Sequence, residues 1–201
     1  MIARLGDENT RNRLREAIDA EGLNNFGRIP DWDAIRISIS PDMPQYAGRT
    51  IADIAAERGI DGFDMALDYI VEDRGQTRVL VSSIAEDDVK DFVRSGDVMI
   101  GSDGNSVAPY GTTGQGKPHP RFYGTFAKVL GQYSRDEELL SLHLALWKMT
   151  GASAQALGLK NRGVLQQGCA ADITIFDPVT IAEQASYEDP HQFASGIDQV
   201  I

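Results

Sequence analysis

The sequence predicts an α/β protein, on three observations. Ile35, Ile37 and Ile39 alternate with polar residues across 34–40, the period of two that marks a strand with one buried face. Helical spacing of apolar residues follows in 51–58 and 62–71. A second strand-like run, 77–83, then leads through an acidic helical stretch, 86–94, to the apolar segment Val98-Met99-Ile100-Gly101. Strand, helix, strand in that order predicts a parallel sheet with helices packed on it.

Taken in order, the first twenty residues read as a polar helix in which Leu5, Leu14 and Ile18 are thinly spread among arginines and acids. A proline-containing connection, 29–33, enters the first strand, and Pro41 and Pro44 end it. Thr50 suits the N-cap of the next helix and Gly59 its C-terminal glycine. Asp61 is placed to cap a further helix, with Phe63, Ala66, Leu67, Ile70 and Val71 predicted as its core-facing stripe. Residues 102–121 hold Gly104, Gly111, Gly114 and Gly116 with Pro109, Pro118 and Pro120, so they form a long loop leaving the end of the 98–101 strand, a place where α/β folds carry function. Three helices follow without an intervening strand, over 123–132, 141–149 and 152–157, the last closed by Gly158. The run 171–177 is a strand stopped by Pro178.

Charge narrows the partners. Nineteen Lys and Arg against thirty Asp and Glu give a net charge of -11, which repels phosphate backbones and anionic membranes and argues against nucleic acid. No stretch approaches the roughly 20 apolar residues of a membrane span. Cys169 is the sole cysteine, so an intramolecular disulfide is impossible, and the first residues lack the apolar core of a signal peptide. A cytoplasmic location is expected.

Two local features could carry chemistry. Ser102-Asp103-Gly104 stands directly after the apolar run 98–101. A carboxylate at a strand's C-terminal mouth suits a metal ligand or a general base, while Asp-Gly is equally a common turn dipeptide. Lys117-Pro118-His119-Pro120-Arg121 closes the glycine-rich loop. Arg121 offers a planar fork that grips a carboxylate with two hydrogen bonds, or it pairs with one of the many surface acids. His119 is a weaker candidate, as a ligand or as a structural hydrogen-bonder. His143 and His191 form no HxH, HExxH or Cys/His cluster, so no zinc cage arises from close sequence neighbours. Gly111-Thr112-Thr113-Gly114-Gln115-Gly116 lacks the strand-to-helix setting and the Gly-Lys-Ser/Thr ending of a phosphate loop.

Several segments taken together resemble the C-terminal part of the N-acyl-D-amino-acid deacylases (D-aminoacylases) of the amidohydrolase superfamily. They are Tyr46 to Ala55 (YAGRTIADIA), Gly101-Ser102-Asp103-Gly104, His119 to Phe126 (HPRFYGTF), Lys148-Met149-Thr150-Gly151, and Arg162 to Gly168 with Ala171 to Asp177. The resemblance implies the C-terminal part of a TIM-like (β/α)8 barrel over 1–160, with the active-site loop 102–121, and return strands of a small β-sandwich over 161–201. It implies a zinc-dependent hydrolase of N-acyl-D-amino acids. In it Asp103 is a metal ligand and acts on the hydrolytic water, Arg121 binds the substrate's α-carboxylate, and His119 is a weaker substrate contact. A complete barrel takes roughly 250 residues, and the family's HxH and metal-bridging cysteine have no counterpart here; Cys169 falls in the β-sandwich block. The loop between Asp103 and Arg121 is longer than in some members. The resemblance therefore implies a fragment, inactive alone: a truncated gene product, half of a split gene or an expressed piece, with a companion N-terminal polypeptide or a homo-oligomer as the partners it allows. The alternative is a non-catalytic structural or interaction subunit, and self-association is expected from uncovered strand edges.

Overall fold

A computed structural model describes residues 2–21 and 31–201 of the chain. The Ile29-Pro30 part of the expected connection lies outside the described residues. The chain divides into two compact units, one made of residues up to 83 together with 110–119, the other of 84–109 with 120–201.

The first unit begins with a 3-10 turn, Ile2–Gly6, and helix α1, Glu8–Glu21. Few of its residues are apolar, and charge docks it: Arg11 reaches Asp68 at 2.5 Å, and Arg15 reaches Asp61 at 3.1 Å and Asp64 at 3.0 Å. Strand β1, Ile35–Ile39, pairs antiparallel with β2, Arg78–Val81. Between them lie α2, Ile51–Arg58, and α3, Gly62–Glu72. Local chemistry sets both helix starts. The Thr50 hydroxyl accepts from the Asp53 amide at 3.0 Å while the Asp53 carboxylate accepts from the Thr50 amide at 3.3 Å, a reciprocal capping box. Asp61 accepts from the amides of Phe63 and Asp64 at 2.9 and 3.2 Å. Gly59, at φ +69°, ends α2 in the left-handed conformation that only glycine adopts without cost.

The core of this unit gathers Ile35 and Ile37 of β1, Ile51 and Ile54 of α2, and Met65 and Tyr69 of α3. The expected stripe on α3 is thus rotated: Phe63 and Leu67 are buried with Met65 and Tyr69, whereas Ile70 is 37% exposed and Ala66 and Val71 are half-buried. The face is fixed one turn further on, where Asp73 is fully buried and accepts from Ser40 Oγ at 2.8 Å, the Asp42 amide at 3.2 Å and Thr77 Oγ1 at 2.5 Å. The segment 110–119 lies against the same unit. The Lys117 amide donates to the Ser38 carbonyl at 2.7 Å and Ser38 Oγ donates to the Lys117 carbonyl at 2.9 Å. Gly116, at φ +71°, permits this approach, since a Cβ there would stand 2.4 Å from the Ser38 carbonyl oxygen.

The second unit holds α4, Glu86–Arg94; α5, Arg121–Lys128, continued by a wider π-type turn, Val129–Asp136; α6, Leu142–Met149; and α7, Gly151–Ala156. Strands β3, Thr174–Phe176, and β4, Ile197–Val200, pair antiparallel. Its core includes Val93, Ala127, Val129, Leu130, Tyr133 and Ile181. Lys148, inside α6, is also buried, and its ammonium donates to the carbonyls of Val93 and Ser95, both at 2.6 Å, at the C-terminal end of α4. A cation there meets the negative end of the helix dipole, and burial lowers its proton affinity.

Two expectations are corrected. Residues 98–101 form no strand; the Ile100 amide donates instead to the Lys148 carbonyl at 3.3 Å. No parallel sheet forms among the described residues, where both sheets are two-stranded and antiparallel. An apolar run becomes a strand only when a neighbour completes its ladder, and 98–101 has none here. The architecture is mixed α/β with small sheets. Among the described residues no helix is long and apolar enough to cross a membrane.

Candidate functional site

Asp103 and Arg121, eighteen residues apart in the chain, meet in the second unit. The Ser102-Asp103-Gly104 segment is irregular, and Asp103 sits there at φ +48°, a left-handed conformation that Asp tolerates better than most residues. The Gly104 amide donates to Ser102 Oγ at 3.2 Å, and the segment comes so near the start of α5 that a Cβ on Gly104 would lie 3.2 Å from Phe122 Cα.

Arg121 is the first residue of α5. Its Nη2 stands 3.0 Å from Asp103 Oδ2 and its Nε donates to the Asp103 carbonyl at 3.2 Å. The side chains are 41% and 88% exposed, so the pair is open to solvent. His119 is half-buried and ends the part of the loop that belongs to the first unit. Among the described residues no three His, Cys, Asp or Glu side chains are grouped to hold a metal ion, so Asp103 does not by itself make a zinc site. Of the other histidines, His143 is exposed on α6, and His191 Nδ1 lies 2.9 Å from the Tyr123 hydroxyl.

A charged cluster beside α5 escaped the sequence reading. Lys128 Nζ is 3.3 Å from Glu86 Oε1 and 5.0 Å from the Tyr133 ring centre, and the Tyr133 hydroxyl donates to the same Glu86 oxygen at 2.6 Å. Burial, with Glu86 beside it, holds the Tyr133 hydroxyl protonated well above its ordinary range. Glu183 packs against Gly124, where a Cβ would fall 2.3 Å from Glu183 Oε1. Burial pushes the Glu183 carboxyl up, Lys128 pulls it down and Glu86 pushes it up again. The available signal was Gly124 itself, a glycine inside a helical run, which marks a close approach.

A profile of the amidohydrolase family matches residues 2–200. The chain belongs to the amidohydrolase family. It is 41% identical over 157 residues to a D-aminoacylase of Alcaligenes xylosoxydans xylosoxydans, covering 78% of this chain and 30% of that protein. An N-acyl-D-glutamate deacylase from the same organism is 34% identical over 174 residues, covering 87% of this chain and 33% of the relative. The chain thus spans about a third of the length of these relatives. Among solved structures, N-acyl-D-glutamate deacylase from Bordetella bronchiseptica, complexed with zinc and a phosphonate mimic of the tetrahedral intermediate, superposes with a TM-score of 0.74 at 35% identity over 87% of this chain and 34% of that one. A D-aminoacylase structure gives 0.71 at 39% identity, over 83% of this chain and 33% of its own. A second D-aminoacylase, described with a binuclear metal center, matches to the same degree. The resemblance seen in the short segments thus extends over most of the chain.

Proposed function

We propose that this amidohydrolase chain supplies Asp103 and Arg121 to a zinc-dependent enzyme that hydrolyses the amide bond of N-acyl-D-amino acids to a D-amino acid and a carboxylate. The observation that carries the reading is the meeting of these two side chains at 3.0 Å in a chain 34–41% identical to deacylases. Zinc, when bound, would polarise the scissile carbonyl and its water. Among the described residues no further His, Cys, Asp or Glu side chains are grouped with Asp103 to complete a metal site. What the chain itself offers is a guanidinium to fix the substrate's free carboxylate and an exposed carboxylate to accept a proton from water. His119, two residues before Arg121, is a weaker substrate contact in the same reading.

The same reading assigns 1–160 to barrel and 161–201 to the β-sandwich, supported by the β3–β4 pair lying wholly within 161–201. It also calls for a companion N-terminal polypeptide or a second copy. All four residues of β4 are exposed, and open strands recruit partners.

The test is deacylation of N-acetyl-D-leucine with zinc present. The chain alone should show no turnover; co-expression with the N-terminal two-thirds of a D-aminoacylase should restore it. In that complex Asp103→Asn should abolish turnover, and Arg121→Lys should raise KM about tenfold or more because the bidentate fork is lost. The competing reading is a non-catalytic interaction subunit, favoured by the lack of a grouped set of metal ligands among the described residues. Turnover indifferent to Asp103→Asn, or a complex that forms without any turnover, would favour it.

A further inference from the structure

We infer that Asp103 is an internal competitor for the Arg121 guanidinium and so sets how tightly this chain holds a ligand's carboxylate. The inference rests on the reading of Arg121 as the carboxylate clamp and adds a control on it. The Nε and Nη2 of an arginine form one edge of its fork, and that edge receives a carboxylate through two parallel hydrogen bonds. Here one residue engages both atoms: the Asp103 carbonyl accepts from Nε at 3.2 Å and Asp103 Oδ2 lies 3.0 Å from Nη2. The left-handed backbone at φ +48° accompanies this arrangement, in which a carbonyl and a side chain three bonds apart together imitate the two oxygens of a ligand carboxylate.

Exposure decides the strength. With side chains 41% and 88% exposed, the pair is screened by water and readily exchanged, so a ligand can displace Asp103 at small cost. The hydrogen bond from the Gly104 amide to Ser102 Oγ does not involve the Asp103 carboxylate and can persist, while the Asp103 carbonyl gives up Nε as the Arg121 side chain turns to the ligand.

The experiment titrates N-acetyl-D-leucine, and its carboxamide as the control lacking the charge, into the full chain and three variants, following the arginine Nε–H resonances by NMR. Asp103→Asn removes the competing charge and keeps a side chain that tolerates the left-handed region; it should tighten binding of the acid by roughly two- to fivefold, the range an exposed ion pair supports, and leave the carboxamide unchanged. Arg121→Gln should abolish binding of the acid, and the double variant should behave like Arg121→Gln. Unchanged affinity in Asp103→Asn with loss in Arg121→Gln would overturn the competition and keep the clamp. Binding of the acid that survives Arg121→Gln, or no binding by any variant, would overturn the clamp and the competition with it. Matching thermal midpoints for the variants show that the fold is intact.

Discussion

Two aspartates of this chain are held in opposite ways. Asp73 is fully buried, accepts three hydrogen bonds, and ties the exit of β1 to the start of β2. Asp103 is exposed, with a left-handed backbone, and its carboxylate pairs with Arg121. A buried carboxylate is retained because its donors would be stranded without it; an exposed one costs little to detach and is therefore available to a ligand. The first serves the fold of one unit and the second the chemistry proposed for the other.

The contrast can be broken most forcefully at Asp73. Asp73→Ala should cost about 3 kcal/mol, leaving buried Ser40 and the part-buried donors of Thr77 and the Asp42 backbone without their acceptor, with a fall of roughly 6–12 °C in thermal midpoint for a chain of this size. Calorimetry showing a loss below about 1 kcal/mol would mean that water replaces the carboxylate. An intermediate case is Glu183, whose burial raises its carboxyl pKa. A raised carboxylate pKa means that the folded state binds the proton more tightly than the unfolded one. Stability is therefore fullest below the unfolded value and falls as pH rises through the folded one. Glu183→Gln should then stabilise the protein at pH 7 and have no effect near pH 3, by urea denaturation at both pH values. Lys128 keeps Glu86 in that variant. The smallest effect is expected at Asp103, where Asp103→Asn should shift stability by less than about 0.5 kcal/mol. A loss as large as that of Asp73→Ala would erase the distinction between the two sites.

Much of the fold was legible where the partners are close in sequence. The Thr50 and Asp61 caps and the Gly59 stop were expected and are seen, because a cap satisfies amides two or three residues away and each residue type carries that geometry itself. The same holds for Ile35 and Ile37 of β1, which are buried as their alternation predicts; a register shift after Ile37 then buries Ser38 and leaves Ile39 half-buried. The 98–101 strand failed because apolar composition says nothing about whether a neighbour is present to pair with it. β4 escaped notice for the converse reason. Its residues, Ile197-Asp198-Gln199-Val200, are all exposed and carry no burial period, yet β3 supplies the ladder. The α3 stripe turned out rotated because Asp73, anchored to Ser40 and Thr77, decides which face looks inward.

The sequence by itself determined the family, through short segments that resemble the deacylases, and named Asp103 and Arg121 as the residues to watch. Identity of side chain and local spacing suffice for that. Only the tertiary structure decided that the two occupy each other, that Lys148 is buried against the end of α4, and that Glu183 meets Gly124 beside a lysine and a second glutamate. Those neighbours are 18 to 97 positions apart. Such separations leave no periodic trace, because packing and desolvation act on neighbours in space, whatever the distance along the chain.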